Sequence, residues 1–351
     1  MRRLLVGVTG GVLAVMLSAG PVLACGGLVA PNGSVNLVRT TTLAAYADGI
    51  EHYVTSFEFS GGGGGKFGSI VPLPDVPTDV RKGGRWTLQR LVQEVQPPVA
   101  FAAAEDGARS SFNQEAEVLL ETRVSALDIT VLKAGGDAVG NWAGDNGFSL
   151  PPDAPEVLDF YAERSPIFMA VRFNLKRAQA KELQLGDGIP VHITIPTDQP
   201  WVPLRILGLG RNANEVIEAD VFLLTEDKPA LLPQADTLPE EQGLILERSE
   251  PASELLLTDL RSDRGMEWLP ASGMWLDYIR INTPAGLLDH DLAINVTGGS
   301  PSRVDAGFDV PSPRLPLQSS GAAVVWWPWA AAVVFGAAFI AATNRLGSTR
   351  P

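Results

Sequence analysis

Apolar and polar residues alternate along several short stretches of the chain, and this period of two predicts β-strands. The clearest case is a hairpin, in which Val35–Tyr46 and Ile50–Phe59 flank the turn Ala47-Asp48-Gly49. Asp-Gly is favoured in tight hairpin turns because both residues tolerate a positive φ. The other predicted strands are Phe67–Leu73, Val124–Leu132, Ile167–Phe173, Ile189–Ile195, Val202–Leu207, Asn214–Leu224, Trp275–Ile281 and Asp291–Val296.

Three short segments have the spacing of helices, namely Trp86–Val95, Asp137–Trp142 and Pro155–Glu163. Residues 225–272 are rich in Pro, Glu and Leu, and they form either a long loop or a partly helical excursion. The elements lack the regular strand–helix–strand spacing of a parallel sheet. The pattern therefore predicts an α+β fold with a mainly antiparallel β-sheet and short helices.

The longest apolar stretch lies near the C-terminus and has the length of a transmembrane helix. Residues 322–343 contain no charged residue, and a helix of this length crosses a hydrocarbon core of about 30 Å. We expect Trp326, Trp327 and Trp329 at one membrane interface and Arg345 just beyond the other. A buried helix of a globular domain is the alternative, although few such helices are apolar on every side.

The N-terminus has the pattern of a secretory signal peptide over residues 1–24. Arg2 and Arg3 precede a mostly apolar run, and small Ala24 precedes the predicted cleavage before Cys25. A retained signal anchor is the alternative. Because Val22-Leu23-Ala24 matches a lipobox only in part, Cys25 is either lipidated or a free thiol.

Together the two ends predict a protein that spans the cell membrane once. Its body lies outside, and residues 344–351 form a tail in the cytoplasm. The predicted ectodomain is divided into a β-rich part, an α+β part, a C-terminal part and a Pro/Ser/Gly-rich stalk, at residues 25–98, 99–225, 226–297 and 298–321.

The net charge of the chain limits the classes of molecule that it can bind. The chain has 27 Lys+Arg and 40 Asp+Glu. Without Arg2, Arg3, Arg345 and Arg350, the body and stalk keep 23 basic and 40 acidic residues, a net charge of −17. This acidity excludes a nucleic-acid binder, since no basic surface would neutralise phosphates.

Residues able to carry chemistry are few. One cysteine and three histidines exclude a disulfide framework and a multi-Cys metal centre. Gly61–Lys66 departs from a phosphate-binding loop, because it lacks the leading Gly and the hydroxyl residue after the Lys. Asp289-His290-Asp291 is interpreted as a solvated turn, and His192 as a surface or satisfied strand histidine. The sequence therefore predicts no catalytic, cofactor-binding or metal-binding residue, and no cofactor.

Several segments taken in order carry a family resemblance. They are Ala24–Gly27, the hairpin with Leu43–Gly49, Phe67–Pro74, Leu127–Ala134 with Asn146-Gly147-Phe148, and Ile193–Pro196 followed by Trp201–Arg205. Together they resemble a bacterial domain-of-unknown-function family, number twenty-three thirty, over about residues 24–210. The resemblance implies an exported, membrane-anchored bacterial protein and supplies no activity. The chain departs from the family in its five-glycine run and in having no second cysteine to pair with Cys25.

These observations favour a cell-envelope binding or interaction module. Its expected partners are the lipid bilayer, through the C-terminal helix, and an envelope protein or ligand that the sequence does not identify. An extracytoplasmic enzyme with a site assembled only in the fold is one alternative, for which a deep pocket with convergent carboxylates or His192 would be evidence. An assembly factor for a membrane complex is another, for which a large apolar patch would be evidence.

Overall fold

A computed structural model describes residues 27–30, 33–34, 40–58, 68–95, 117–183, 188–234 and 243–309. All of them belong to one compact unit, residues 1–315, while a second unit, residues 316–351, lies outside the described part.

The helices are α1 (Thr87–Val95), α2 (Gly136–Asp145), α3 (Ala154–Ala162), α4 (Leu175–Ala180) and α5 (Glu254–Arg261), with 3-10 helices at Arg205–Gly208 and Ala285–Leu287. The strands are β1 (Gly27–Ala30), β2 (Gly33–Ser34), β3 (Thr40–Ala47), β4 (Ile50–Glu58), β5 (Gly68–Leu73), β6 (Asp79–Lys82), β7 (Glu117–Val124), β8 (Leu127–Lys133), β9 (Ile167–Phe173), β10 (Gly188–Pro196), β11 (Trp201–Val202), β12 (Val216–Thr225), β13 (Ala230–Leu232), β14 (Leu244–Pro251), β15 (Trp275–Pro284) and β16 (Leu292–Asn295).

The strands form three sheets. The largest has the order β14-β15-β12-β3-β4-β10-β6, the second has the order β2-β1-β5-β9-β8-β7, and β11-β16-β13 form a small third sheet. Every described pair is antiparallel except β12 with β3. The predicted mixed α+β fold with mainly antiparallel strands is therefore confirmed.

The two large sheets pack face to face, with helices on their outer faces. The core between them joins Tyr53 and Ile193 of the seven-stranded sheet to Val131 and Met169 of the six-stranded sheet. Outside the six-stranded sheet, α2 and α3 bury a second cluster that includes Phe160. Outside the seven-stranded sheet, α1 and α5 bury a third cluster. Four layers result, and strands buried on both faces explain the long apolar runs.

The predicted hairpin is present in the middle of the seven-stranded sheet. Ala47 pairs with Ile50 across a turn in which Asp48 has φ 52° and Gly49 has φ 75°. Positive φ at both residues matches the right-handed twist of the strands it joins. Opposite faces of β10 carry Ile193 and His192, as the parity of the sequence predicts.

Local turn chemistry changes several other predicted elements. The strand predicted from Val124 is the second arm of a hairpin, because Ser125 adopts φ 53° and closes a turn between β7 and β8. The strand predicted over Val202–Leu207 ends at Val202 and continues as a 3-10 helix. The short α4 escaped prediction, although Asn174 caps it by accepting a hydrogen bond from the backbone N–H of Arg177 at 3.1 Å.

The two Pro-rich regions also contain folded structure. Residues 225–272, for which the sequence predicts a long loop or a partly helical excursion, contain β13, β14 and α5. Residues 298–309, the first part of the predicted stalk, lie in turns against the body. There the backbone N–H of Asp291 donates to the carbonyl of Ala306, and Gly307 is buried against the Phe160 ring.

The described helices are short, and among them none combines the length and apolar character needed to cross a bilayer. The predicted signal peptide (1–24) and transmembrane helix (322–343) both lie outside the described residues.

Candidate functional site

A buried carboxylate, Asp291, ties together the elements around the candidate site. It lies just before β16 and is 0% exposed. Its Oδ1 accepts hydrogen bonds from the backbone N–H groups of Leu204 (2.6 Å) and Arg205 (2.9 Å) and from the Tyr161 hydroxyl (2.8 Å). Its Oδ2 pairs with Arg164 Nη2 at 2.5 Å. The sequence interpretation of Asp289-His290-Asp291 as a solvated turn is wrong, since His290 and Asp291 are both buried.

Aromatic rings complete the surroundings of this ion pair. The Arg164 guanidinium lies 4.2 Å from the Phe160 ring centroid and 4.9 Å from those of Tyr161 and Trp201. Burial, followed by the Asp291 carboxylate, raises the pKa of Tyr161 well above its ordinary value, so the hydroxyl stays a donor. It also accepts from the backbone N–H of Ile206. A buried pair with all of these hydrogen bonds is rigid and fixes the 3-10 helix that follows Leu204.

That 3-10 helix forms one wall of a small surface cleft. Asp153 and Glu156 at the start of α3 line it together with Arg205 and Gly208, and Gly286 and Asp289 line the opposite side. Asp153 Oδ2 accepts from the backbone N–H of Gly210 at 2.9 Å, which holds α3 against the segment after the 3-10 helix. The space inside is about 20 Å³, enough for one water-sized group.

Arg205 is the basic residue of the cleft, and its side chain is only 6% exposed. Nη2 pairs with Glu156, and the guanidinium carbon lies 4.2 Å from the Phe160 ring centroid. Nη1 is buried and has no hydrogen-bond partner among the described residues. A buried N–H group without an acceptor costs about 1–3 kcal/mol. Arg205, which lines the cleft, therefore carries a buried donor that no described residue satisfies.

A second polar cluster lies on the α1/α5 side of the seven-stranded sheet. His52 Nδ1 and His192 Nε2 are 2.9 Å apart, and the Trp268 ring stacks on His52 at 3.8 Å. Burial, with Arg81 adding to it, lowers the pKa of His52 to about 4. Burial, then His52 and Arg81, lowers the pKa of His192 to about 3. Both rings are neutral near pH 7 and covered, so His192 is a buried strand histidine rather than a surface one. Its Nε2 contacts His52, whereas its Nδ1 has no hydrogen-bond partner among the described residues.

A carboxyl group, Glu51, is buried on the opposite face of the same sheet and is 0% exposed. Burial raises its pKa to about 8, and the backbone N–H of Trp201 opposes the shift. Neither carboxyl oxygen makes a hydrogen bond of normal geometry with the described residues. Its position within the core makes Glu51 a group whose ionisation changes the stability of the fold with pH.

Most residues that the sequence singled out for the envelope role lie outside the described residues. This applies to Ala24 and Cys25 and to Trp326, Trp327, Trp329 and Arg345. The Gly61–Lys66 segment, which departs from a phosphate-binding loop, also lies outside the described residues. Within the described residues, no group of three His, Cys, Asp or Glu side chains is placed to hold a metal ion. The sequence missed the cleft because its residues come from three segments that are far apart along the chain.

Exposed apolar side chains are scattered over the described surface. The large ones are Val118 on β7, Val216 on β12 and Leu255 on α5, together with Val76 and Val304 in connecting segments. This distribution gives no support to the assembly-factor alternative, which depends on a contiguous patch.

Comparison with known proteins gives a family but no activity. A model described as "Uncharacterized protein conserved in bacteria (DUF2330)" matches residues 20–230. A search of curated proteins finds no significant match. Among solved structures, the crystal structure of baculovirus P35 is similar at 12% identity with a TM-score of 0.40, covering 73% of this chain and 96% of that chain.

Proposed function

The chain belongs to the family of uncharacterized bacterial proteins DUF2330, and from its site we propose that it is an exported, membrane-tethered binding module of the cell envelope. The observation that carries the binding role is the cleft on the Asp291 framework, with the buried and unpartnered Nη1 of Arg205 in its wall. A rigid wall with an unsatisfied donor is pre-organised for a ligand, which limits the entropy lost on binding.

The chemistry of the described residues favours binding over catalysis. Arg205 is paired with Glu156, and Asp153 is engaged by the backbone of Gly210, so these groups position a ligand. Two of the three histidines, His52 and His192, are covered, and their strongly lowered pKa values make them poor proton-transfer groups near neutral pH.

Export and tethering rest on the sequence. The apolar run behind Arg2 and Arg3 supports export, and the uncharged residues 322–343 followed by Arg345 support a single membrane span with the body outside. In this arrangement the body stays attached to the membrane and binds a partner on its outer side.

Site-specific photo-crosslinking in intact membranes tests the binding role. A photoreactive residue replaces exposed Asn212, two residues beyond Gly210 on the rim of the cleft, and a matched probe replaces exposed Asp227. Glu215, beside the cleft segment, precedes β12 and Asp227 follows it, so a ten-residue strand separates the two probes. We expect an adduct from the Asn212 probe alone. No adduct, or equal adducts from both probes, would contradict the proposal.

A further inference from the structure

The last described segment of the chain, residues 298–309, folds as a small unit against the body and is termed the strap. Its turn is closed by Ser302, whose hydroxyl accepts from the backbone N–H of Asp305 (3.1 Å) and whose carbonyl accepts from that of Ala306 (3.0 Å). Within the strap only Ala306 and Gly307 are buried. A segment that buries so little opens at a lower free energy than the whole fold.

Two carbonyl groups of the strap complete the hydrogen bonds of the buried Arg164–Asp291 pair. Arg164 Nη1 donates to the carbonyl of Asp305, while its Nη2 pairs with Asp291 Oδ2 at 2.5 Å. The backbone N–H of Asp291 donates to the carbonyl of Ala306 at 3.0 Å. The Arg164 side chain is only 1% exposed. Release of the strap would therefore leave two donors of this pair to be satisfied by water.

The same Asp291 carboxylate holds one wall of the cleft. Its Oδ1 accepts from the backbone N–H groups of Leu204 and Arg205, at the start of the 3-10 helix. Arg205 and Gly208 of that helix line the cleft. Water that reaches the ion pair raises the local dielectric and competes for the carboxylate, which weakens its hold on these N–H groups. The order of this wall therefore depends on the docked strap.

A second contact links the strap to the opposite wall of the cleft. The Phe308 ring stacks on His290, with ring centroids 5.7 Å apart and an angle of 15° between the planes. His290 directly follows Asp289, which lines that side of the cleft. The strap is thus connected to both walls, through Asp291 on one side and through His290 on the other.

We infer that the strap is a conformational device, which keeps the cleft ordered when it is docked and loosens both walls when it is released. The inference rests on the binding function proposed above. From Asp309 the chain runs on toward the uncharged residues 322–343. The strap is therefore the described segment through which a movement of the proposed tether acts on the cleft.

Hydrogen–deuterium exchange of the full chain in detergent micelles tests this coupling. Gly307 has φ 81°, and a Cβ there would overlap the Phe160 ring, so Gly307→Ala should release the strap. Gly298→Ala is the matched control, because Gly298 has φ 79° and no atom of the described residues lies within 4 Å of its Cβ position. We expect Gly307→Ala to speed exchange about tenfold in peptides 302–309 and 203–209, and the control to stay within about twofold of the parent.

A second variant separates release of the strap from direct pressure on Phe160. Phe308→Ala removes the stack on His290 and adds no atom near the Phe160 ring. The same acceleration is expected in peptide 203–209. Val304→Ala, which shortens an exposed side chain of the same strap, is its matched control. A peptide that covers β12 reports on the whole fold and should exchange at the parent rate in every variant.

Three exchange patterns would overturn the inference. Fast exchange in the strap with parent exchange in peptide 203–209 would show that the cleft wall does not depend on the strap. Parent exchange in the strap of both Gly307→Ala and Phe308→Ala would show that it does not open locally. Faster exchange in β12 as well would show that the strap opens only when the whole fold does.

The Asn212 photoprobe in intact membranes separates this inference from the binding role itself. We expect the yield of its adduct to fall in Phe308→Ala and to stay at the parent level in Val304→Ala. A parent yield from Phe308→Ala, despite faster exchange, overturns control of the cleft by the strap and leaves the binding role standing. If the probe forms no adduct in the parent while the exchange of the strap and peptide 203–209 is coupled, the binding role fails and the coupling stands.

Discussion

Single residues buried with unusual protonation states set how this protein responds to pH. Glu51 keeps its proton in the folded chain up to about pH 8, whereas the unfolded chain loses it near pH 4.5. Between these values only the folded chain holds the proton, so stability falls as the pH rises. His52 and His192 act in the opposite direction, because their folded pKa values lie below the unfolded value of 6.5.

Glu51→Gln is expected to remove the alkaline loss of stability, because the amide keeps the shape and has no proton to release. Relative to the parent, the variant gains up to about 1.4 kcal/mol per pH unit between pH 5 and pH 8. Urea unfolding of the full chain in micelles, followed by near-ultraviolet circular dichroism, measures this. The exposed Glu218→Gln on β12 is the matched control. Parallel pH profiles for the parent and Glu51→Gln would show that the carboxyl is ionised in the fold.

The histidine pair gives a prediction on the acid side. The contribution of the two histidines to the stability of the parent is fully present above pH 6.5 and declines as the pH falls toward 4, because the unfolded chain takes up protons that the buried rings do not accept. Relative to the parent, the double variant His52→Gln/His192→Gln is expected to lose this acid-side decline in the same unfolding assay, which leaves the opposite slope that Glu51 contributes. Thr194→Val, paired with His52 and without a titrating group, should keep the parent slope. The same pH dependence in the parent and the double variant would refute the neutral, buried pair.

The sequence alone predicted part of the surroundings of these buried residues. Parity placed His192 opposite Ile193, and the register confirms it. The same parity left the exposure of that face undecided, because α1, α5 and the segment after α5 cover it from distant parts of the chain. Asp291 was misassigned for a similar reason, since its partners Tyr161, Arg164 and Leu204 are 87 or more residues away in sequence.

Between elements, one side chain joins α1 to the segment that follows α5. Asp263 is 5% exposed, and its carboxylate accepts from the backbone N–H groups of Arg85, Trp86 and Thr87 at 2.8–3.0 Å. It therefore caps the first turn of a helix that is distant in sequence. Gly84 allows this approach, because a Cβ there would overlap the Asp263 carboxylate.

Asp263→Ala is expected to destabilise the protein by about 2–4 kcal/mol, because it leaves several buried N–H groups without an acceptor. Loss of the cap also frees the segment that carries Trp268, so His52 should become accessible to a histidine-modifying reagent at a higher rate. The neighbouring Ser262→Ala removes an exposed hydroxyl and should change stability by less than about 0.5 kcal/mol. Equal stabilities for the two variants would mean that α1 does not depend on Asp263.

Elements were predicted well where the local pattern decides them. The β3–β4 hairpin, β9 and α3 follow from alternation, an Asp-Gly turn and helical spacing. The 3-10 helix after β11 could not be predicted from the local pattern, because Asp291, from a remote segment, accepts hydrogen bonds from its first N–H groups. The Pro-rich composition prevented the prediction of β13, β14 and α5. The cap of α5 was a usable signal, because the Ser253 side chain accepts a hydrogen bond from the backbone N–H of Leu256.

The whole molecule is a folded body between two apolar terminal segments. The four-layer body and its cleft come from the described residues, and the tether and export come from the charge and hydropathy of the termini. A binding site outside the cell requires both, because the ligand must meet the cleft on the outer side of the membrane.

A reporter enzyme that is active only outside the cytoplasm, fused after residue 320 of the chain, tests the central claim most directly. We predict full reporter activity from this fusion and none from a cytoplasmic reporter at the same position. The same fusion without residues 1–24 serves as the control and should be inactive, since it lacks the segment that directs export. Activity of the cytoplasmic reporter, together with silence of the external one, would contradict the account of an exported binding module.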